Sequence, residues 1–82
     1  TVRRVDLARA AARTLDRLGY ARGNAPAPTD MSRSHLDFEA VERVLAAGLM
    51  GLSASGGFEP WRPVSGSEAI EVVDGVARLV GP

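Results

Sequence analysis

Two proline-containing stretches limit what this chain can fold into more than any other feature of its sequence. Residues 22–33 include Pro26 and Pro28, and residues 53–68 include two further prolines and three glycines. Proline removes a backbone N–H group and also disfavours helix at the residue before it. Regular structure is therefore expected in three segments, joined by a Pro-Ala connector over 22–33 and by an aromatic-Pro loop over 53–68.

The first segment is predicted to form an amphipathic helix over about residues 6–19. Its apolar side chains recur at the spacing of one helix face: Leu7, Ala11, Leu15 and Leu18. Asp6 has the side chain expected of an N-cap, where a carboxylate accepts unpaired N–H groups. Gly19 is placed to end the helix.

The second segment is predicted to form a helix over about residues 35–51. Its apolar positions keep helical spacing: Val41, Val44, Leu45, Leu49 and Leu52. Ser34, with Asp37 three residues later, resembles a capping box in which the shorter acid replaces Glu. Thr29 and Ser32 are alternative caps, so the start of this helix is open by several residues.

The third segment is predicted to form a β-hairpin over residues 69–80. Asp74-Gly75 is a strong signal for a two-residue type I′ turn, which needs positive φ at both positions. The register that follows places Glu71 opposite Arg78 on one face. The other face is then apolar: Ile70, Val72, Ala77 and Leu79.

Together the segments predict a single small α+β domain over residues 1–82. Its two amphipathic helices are expected to be antiparallel and to be followed by the long irregular crossing and the C-terminal β-hairpin. Hydrophobic residues make up 45% of the chain, which is enough for one thin core at this length. No apolar run approaches the roughly 18 residues that a membrane span needs, so no membrane partner is expected.

The composition also limits location and chemistry. The chain has no cysteine, which excludes a disulfide framework and a thiolate metal site and favours an intracellular setting, either the cytoplasm or a phage particle. All ten basic residues are arginine, and alanine is abundant, a bias typical of a GC-rich bacterial or phage genome. The formal net charge is zero, but residues 1–33 carry seven Arg against three Asp, and residues 34–82 carry the opposite excess.

Three arginines form a stripe along the predicted first helix. Arg9, Arg13 and Arg17 recur every four residues on the side opposite the leucines. Three guanidinium groups in a row can bind phosphates or an acidic partner. The alternative is a solvated face, or pairing with the acidic second half of the chain, and Asp16 beside Arg13 weakens the positive potential.

The aromatic-Pro loop contains the other candidate binding residues. Phe58, Trp61 and Arg62 lie between prolines that favour an extended backbone. Trp and Arg are frequent anchors of protein interfaces. The alternative is that Phe58 and Trp61 fold back as a lid over the core, and one residue can serve both purposes.

No catalytic arrangement is indicated. Gly51-Leu52-Ser53-Ala54-Ser55 differs from a nucleophile elbow because a serine replaces the second glycine and no strand precedes it. His35 is the sole histidine and has no evident relation to Ser53. No residues with the pattern of a metal site or a cofactor site are present, so no catalytic residue, metal or cofactor is predicted.

These observations predict a non-catalytic protein–protein interaction or assembly module, such as a small accessory subunit of a bacterial or phage complex. Its partner is expected to be another protein or a second copy, contacted through Arg9, Arg13, Arg17, Phe58, Trp61 and Arg62. The alternative is a small winged-helix-like DNA-binding protein that uses the Arg9/Arg13/Arg17 face and the hairpin as its wing. The zero net charge lacks the usual basic footprint of such a protein.

Overall fold

The domain consists of three helices. The computed structural model describes residues 1–80, with the helices α1 (Arg4–Arg17), α2 (Phe38–Ala46) and α3 (Gly66–Leu79). Within those residues, β-type pairing is limited to one isolated antiparallel bridge between Arg3 and Pro63. The fold is therefore all-helical, and the predicted α+β class with a C-terminal β-hairpin is wrong.

The segment predicted as the hairpin is helix α3. The Ser65 hydroxyl accepts the Glu68 backbone N–H at 3.1 Å and caps the helix N-terminus. Ser65-x-x-Glu68 is also the sequence of a capping box, a helix-start signal that the hairpin prediction overlooked. The apolar residues fit the helical period as well as strand alternation: Ala69, Val72, Val73, Val76 and Val80.

Gly75 has a packing role instead of a turn role. It is buried inside α3, where no positive φ is required. A Cβ atom built at Gly75 would lie 2.7 Å from Cδ2 of Leu49. The absence of a side chain therefore allows α3 to approach Leu49 closely, which is a different use of glycine from the type I′ turn that Asp74-Gly75 suggested.

The cap of α3 gives a direct test of helix against hairpin. Ser65→Ala removes the side chain that accepts the Glu68 N–H, so we expect the free energy of unfolding to fall by about 1 kcal/mol. Urea denaturation followed by circular dichroism measures the change. Ser67→Ala is the matched control, because it keeps the Ser65 hydroxyl that accepts the Glu68 N–H and removes only the neighbouring hydroxyl, 3.3 Å from it. Equal stability of the two variants would contradict a helix that starts after Ser65.

The predicted first helix is present as α1 and starts two residues earlier than expected. Arg3 is the N-cap residue, and the Asp6 carboxylate accepts the Arg3 backbone N–H at 3.0 Å from inside the first turn. Leu18 is the C-cap and is followed by Gly19 at φ 71°. Gly19 therefore ends the helix as predicted, because glycine adopts this left-handed conformation without a steric penalty.

The second helix is shorter than the predicted range of 35–51. Its N-cap is Asp37, but the Asp37 carboxylate makes no capping bond. Both carboxylate oxygens accept hydrogen bonds from the Arg9 guanidinium, each at 2.7 Å. The helix ends at Ala46, and Gly48 with φ 75° turns the chain away.

Helices α1 and α2 run in the same general direction, not antiparallel as predicted. Arg9 contacts Asp37 at the start of α2, and Asp16 near the end of α1 contacts Arg43 farther along α2. The second contact lies nearer the C-terminus than the first contact on both helices, as it does when two helices run in the same direction. The connector between the helices, which includes 22–33, carries the chain back so that both helices start at the same end.

The hydrophobic core lies where the two helices meet the loop after α2. It is formed by small and medium-sized residues together with two phenylalanines: Ala8, Ala11, Leu15, Met31, Phe38, Val41, Val44, Leu49, Met50, Phe58 and Val72. Phe58, Leu15, Val41 and Val44 are fully enclosed. Helix α3 contributes one buried residue, Val72, to this core, while Val76 and Leu79 pack against it and are partly buried. It is therefore the most weakly enclosed of the three helices.

Arg4 joins three separate parts of the chain inside this core. It is 4% exposed, and its Nε and Nη2 donate to the carbonyl oxygens of Phe58 and Gly51 at 2.7 and 2.6 Å. Its Nη1 donates to the Glu68 carboxylate at the start of α3. The guanidinium also stacks on the Phe58 ring, 4.5 Å from the ring centroid. Each guanidinium nitrogen therefore has an acceptor, which a buried charge requires.

The aromatic-Pro loop is held by a second polar contact. The Asp30 carboxylate accepts the backbone N–H groups of Phe58 and Glu59 at 2.9 and 2.8 Å. Glu59 itself has φ 57°, a conformation that non-glycine residues seldom adopt. The two hydrogen bonds fix the loop in this conformation and hold Phe58 in the core.

Removal of the Arg4 guanidinium is expected to affect the whole domain. Arg4→Met keeps a long apolar side chain but leaves two carbonyl groups and the Glu68 carboxylate without their donor, so we expect a loss of about 3 kcal/mol or more in the free energy of unfolding. Arg4→Lys retains the charge without the planar set of donors and should lie in between. Urea denaturation measures both. Arg3→Met, at the exposed neighbouring position, should change stability by less than about 0.5 kcal/mol.

Candidate functional site

Arg9, the first residue of the predicted arginine stripe, is exposed but is paired with carboxylates of the same chain. Besides its two bonds to Asp37, its Nη1 lies 3.3 Å from the Asp6 carboxylate. The hydrogen bond that Arg9 donates to Asp37 and the negative charge of Asp37 raise the pKa of Arg9. The same hydrogen bond lowers the pKa of Asp37. Arg9 therefore links α1 to α2. This agrees with the alternative interpretation, in which the stripe pairs with acids in the second half of the chain.

Arg13 and Arg17 remain on the surface. Both are exposed on α1, and neither takes part in an ion pair within residues 1–80, whereas five other arginines of that range do: Arg4, Arg9, Arg22, Arg43 and Arg62. The stripe is thus divided, because Arg9 is engaged with α2 while Arg13 and Arg17 are available to a partner.

The three predicted binding residues of the aromatic-Pro loop differ in their exposure to solvent. Phe58 is fully buried and lies under Arg4, so it forms a lid over the core. Trp61 is 58% exposed. Arg62 lies near two carboxylates, 3.4 Å from Glu59 and 3.5 Å from Glu68. Trp61 and Arg62 are thus accessible, and their role in partner binding stays a prediction.

A polar cleft of about 300 Å³ lies between α1 and α2. Arg22 pairs with Glu39 there, which raises the pKa of Arg22 through the hydrogen bond. Arg43, 6% exposed, binds Asp16 and donates to the Tyr20 carbonyl at 3.2 Å. Three of the four guanidinium groups that line the cleft are paired with carboxylates, while the lining as a whole has four arginines against two acids, Asp16 and Glu39. Within residues 1–80, Nε of the buried Arg43 has no hydrogen-bond partner.

A second cleft, of about 250 Å³, lies between α1 and α3 and is apolar. We call it the α1–α3 groove, and its lining residues are Leu7, Ala10, Ala11, Thr14, Val72, Val73 and Val76. The α1 side consists of Leu7 followed by three smaller side chains, Ala10, Ala11 and Thr14. No charged side chain lines it, which makes it a surface for apolar groups.

The outer side of α3 continues this apolar surface. We call the residues Ile70, Val73, Ala77 and Val80 the α3 ridge; they follow each other at helical spacing. Ile70 is 62% exposed, Val73 is 66% exposed and Val80 is 50% exposed. Apolar side chains thus occupy about half of the circumference of α3. Val72 is buried in the core, and Val76 and Leu79 pack against it while partly buried, whereas Ile70, Val73 and Val80 are exposed.

The α1–α3 groove was missed at the sequence level because one of its walls was expected to be a strand. In the predicted hairpin, Ile70 and Val72 share one face and Val73 lies on the other. In the helix, Val72, Val73 and Val76 line the groove together. The capping sequence at Ser65 is the signal that would have revealed it, since it defines where the helical period begins.

Comparisons with protein-family models, with curated proteins and with solved structures found no match. None of the helices in residues 1–80 is long and apolar enough to cross a membrane. A function for this chain is therefore inferred from the geometry of its surface.

The contact between Arg9 and Asp37 gives a prediction about pH. Because the pKa of Asp37 is lowered in the folded state, the ionised carboxylate contributes stability at neutral pH, and this contribution is lost as the pH falls below about 4. Arg9→Gln should raise the pKa of Asp37 towards its ordinary value and weaken the acid-induced loss of stability. NMR titration of the Asp37 carboxyl carbon measures the pKa. Arg17→Gln is the matched control and should leave the titration of Asp37 unchanged.

Proposed function

We propose that this chain is a non-catalytic interaction module, a small accessory subunit of a bacterial or phage complex, that docks an amphipathic helix of a protein partner in the α1–α3 groove. The observation that carries the proposal is the uncovered apolar side of α3. A helix that is apolar over half its circumference needs a second neighbour to bury that surface, and the core supplies only one.

The size of the exposed surface supports docking. Full burial of a Val or Ile side chain contributes about 1.5–3 kcal/mol, and Ile70, Val73 and Val80 each leave half or more of their surface exposed. Covering these three residues together offers several kcal/mol before the costs of association are counted. Single exposed apolar residues need no explanation, whereas a contiguous patch marks an interaction site.

The shape of the groove favours a helix as the occupant. Two helices packed side by side leave a groove between their ridges into which a third helix can pack. The groove is lined along two helices, with Leu7, Ala10 and Thr14 on one side and Val72 and Val76 on the other. An amphipathic helix that docks here places its own i, i+3, i+4 and i+7 side chains against these walls.

The candidate nucleophile and base have structural roles, which supports a non-catalytic function. Ser53 Oγ accepts the Gly57 backbone N–H at 3.2 Å and lies 3.0 Å from the Ser55 hydroxyl. His35 Nδ1 accepts the Asp37 backbone N–H at 3.0 Å. Both side chains stabilise turns.

The structure removes two of the features that supported the DNA-binding alternative. Its wing was the predicted hairpin, which is helix α3, and Arg9 is bound to Asp37. Arg13 and Arg17 remain as candidate phosphate contacts. No observation favours nucleic acid over a protein partner, so the protein partner is the function we propose.

Site-specific photo-crosslinking tests the docking surface. With a photoreactive phenylalanine analogue at Val73, in cells that produce the chain, we expect one discrete adduct. Mass spectrometry should map its crosslinked residue to the apolar side of a helix in the partner. Leu36 is the matched control position, because it is apolar and 90% exposed but lies outside the groove. The same adducts from both positions, or none from Val73, would overturn the proposal.

A further inference from the structure

We propose that the polar cleft between α1 and α2 binds a phosphate group, either free phosphate or the phosphate ester of a small molecule. The cleft shares no lining residue with the α1–α3 groove, so this inference goes beyond the proposed docking function and does not depend on it. It follows from the way the two helices form the cleft, from the charge of its lining, and from a buried guanidinium whose hydrogen bonds are incomplete.

The cleft lies between two ion pairs that join the helices. Arg9 of α1 pairs with the N-cap residue of α2 at one end, and Asp16 of α1 pairs with Arg43 at the other. Arg9 and Asp16 are two helical turns apart, about 10 Å along the helix axis. Between them the cleft is lined by Ala12 and Ala40. Because neither alanine side chain extends beyond Cβ, a space of about 300 Å³ is left, which is enough for a phosphate and part of the molecule that carries it.

The lining of the cleft has an excess of positive charge. It contains four arginines and two acids, and Asp37, which pairs with Arg9 from outside the lining, leaves an excess of one. Arg13 is exposed and has no ion pair within residues 1–80. Glu39 occupies Nη1 of Arg22, whose side chain is 62% exposed. Arg13 from α1 and Arg22 from the connector therefore still have N–H groups for an anion.

The buried guanidinium of Arg43 lacks one hydrogen-bond partner. Its side chain is 6% exposed, and it uses Nη1 for Asp16 and Nη2 for the Tyr20 carbonyl oxygen at 3.2 Å. Within residues 1–80, Nε has no acceptor. Buried donors in proteins are almost always paired, so each exception needs an explanation. Arg43 lines the cleft, and an oxygen atom of a bound phosphate is the acceptor that we assign to it.

These donors suit a phosphate better than a carboxylate. A guanidinium binds two oxygens of either group, but a phosphate ester has a third acceptor oxygen and a charge of about −1.5 to −2 at neutral pH. It therefore accepts from Arg13, Arg22 and Arg43 together. Asp16 is the competitor for Arg43, and it carries a single charge and is 57% exposed. Its carboxylate returns to water when the phosphate takes its place, so the exchange leaves no buried acid unpaired.

NMR titration of the full chain with inorganic phosphate tests the site. Sodium chloride keeps the ionic strength constant, so that screening of the surface charges does not change during the titration. We expect the Nε–H signal of Arg43 to shift and to saturate with a dissociation constant of about 1 mM. The Nε–H signal of Arg4, which is buried and fully paired, should not shift. Sodium acetate over the same concentration range should bind about tenfold more weakly or less, because it has one charge and two oxygens.

Two substitutions with opposite expected effects test the residues that form the site. Arg13→Gln removes the unpaired guanidinium and should weaken phosphate binding about tenfold. Asp16→Asn removes the competing negative charge and should strengthen it about threefold. Arg17→Gln is the matched control, because Arg17 is also exposed without an ion pair within residues 1–80 but lies outside the cleft lining. Circular dichroism verifies that the variants keep their helices, which is expected because all three positions are exposed.

Equal effects of Arg13→Gln and Arg17→Gln would overturn the site, because phosphate is then attracted by the overall charge of α1. An Arg43 Nε–H signal that does not respond would overturn it as well, and so would acetate binding as tight as phosphate binding.

A nucleoside monophosphate in the same titration separates the two sources of the phosphate group. Binding about tenfold tighter than that of inorganic phosphate assigns the cleft to a phosphate ester whose organic part adds contacts, whereas binding that is no tighter assigns it to free phosphate. Because the cleft and the α1–α3 groove share no lining residue, the crosslinking result at Val73 stands or falls separately from these titrations.

Discussion

The buried guanidinium of Arg4 is the interaction on which the rest of this structure depends. It links the first turn of α1 to the Phe58 and Gly51 carbonyl groups and to Glu68 at the start of α3. A domain of this size buries a small core that contributes only a few kcal/mol of net stability. In such a core, one charged group with acceptors from three parts of the chain decides where the loop and the third helix lie. A guanidinium suits this position because its donors are planar and fixed in direction.

This attachment explains why α3 leaves so much apolar surface uncovered. Glu68 is anchored by Arg4, and Ser65 caps the same end of the helix. Beyond the first turn, only Val72 and Gly75 are buried. The helix is therefore secured at its N-terminus, while Ile70, Val73 and Val80 on its outer side stay exposed. The weak enclosure of α3 and the proposed docking surface are two consequences of one arrangement.

The sequence allowed the first helix to be predicted, and the pairing of the two charged halves was one of the alternatives that it left open. The predicted loop over 53–68 extends three residues into α3, which starts at Gly66. Leucine spacing and Gly19 are local signals, and neither depends on tertiary contacts. The prediction for the third segment was wrong because its apolar residues fit both the helical period and the alternation of a strand over a short range. Asp74-Gly75 forms a hairpin turn only when the backbone of both residues takes positive φ. Two features favour the helix: the N-cap at Ser65 and the close approach of α3 to Leu49, which the missing side chain of Gly75 allows. The second of these is visible only in three dimensions.

The candidate site shows the same division between local and tertiary information. The arginine stripe is evident in the sequence, but its division into Arg9, which is bound to Asp37, and Arg13 and Arg17, which are exposed, depends on the packing of α2 against α1. Helix α1 thus has one polar side whose charges are mostly paired and one apolar side beside α3 that is open. In the docking that we propose, the free energy of binding comes from burying apolar surface on that open side.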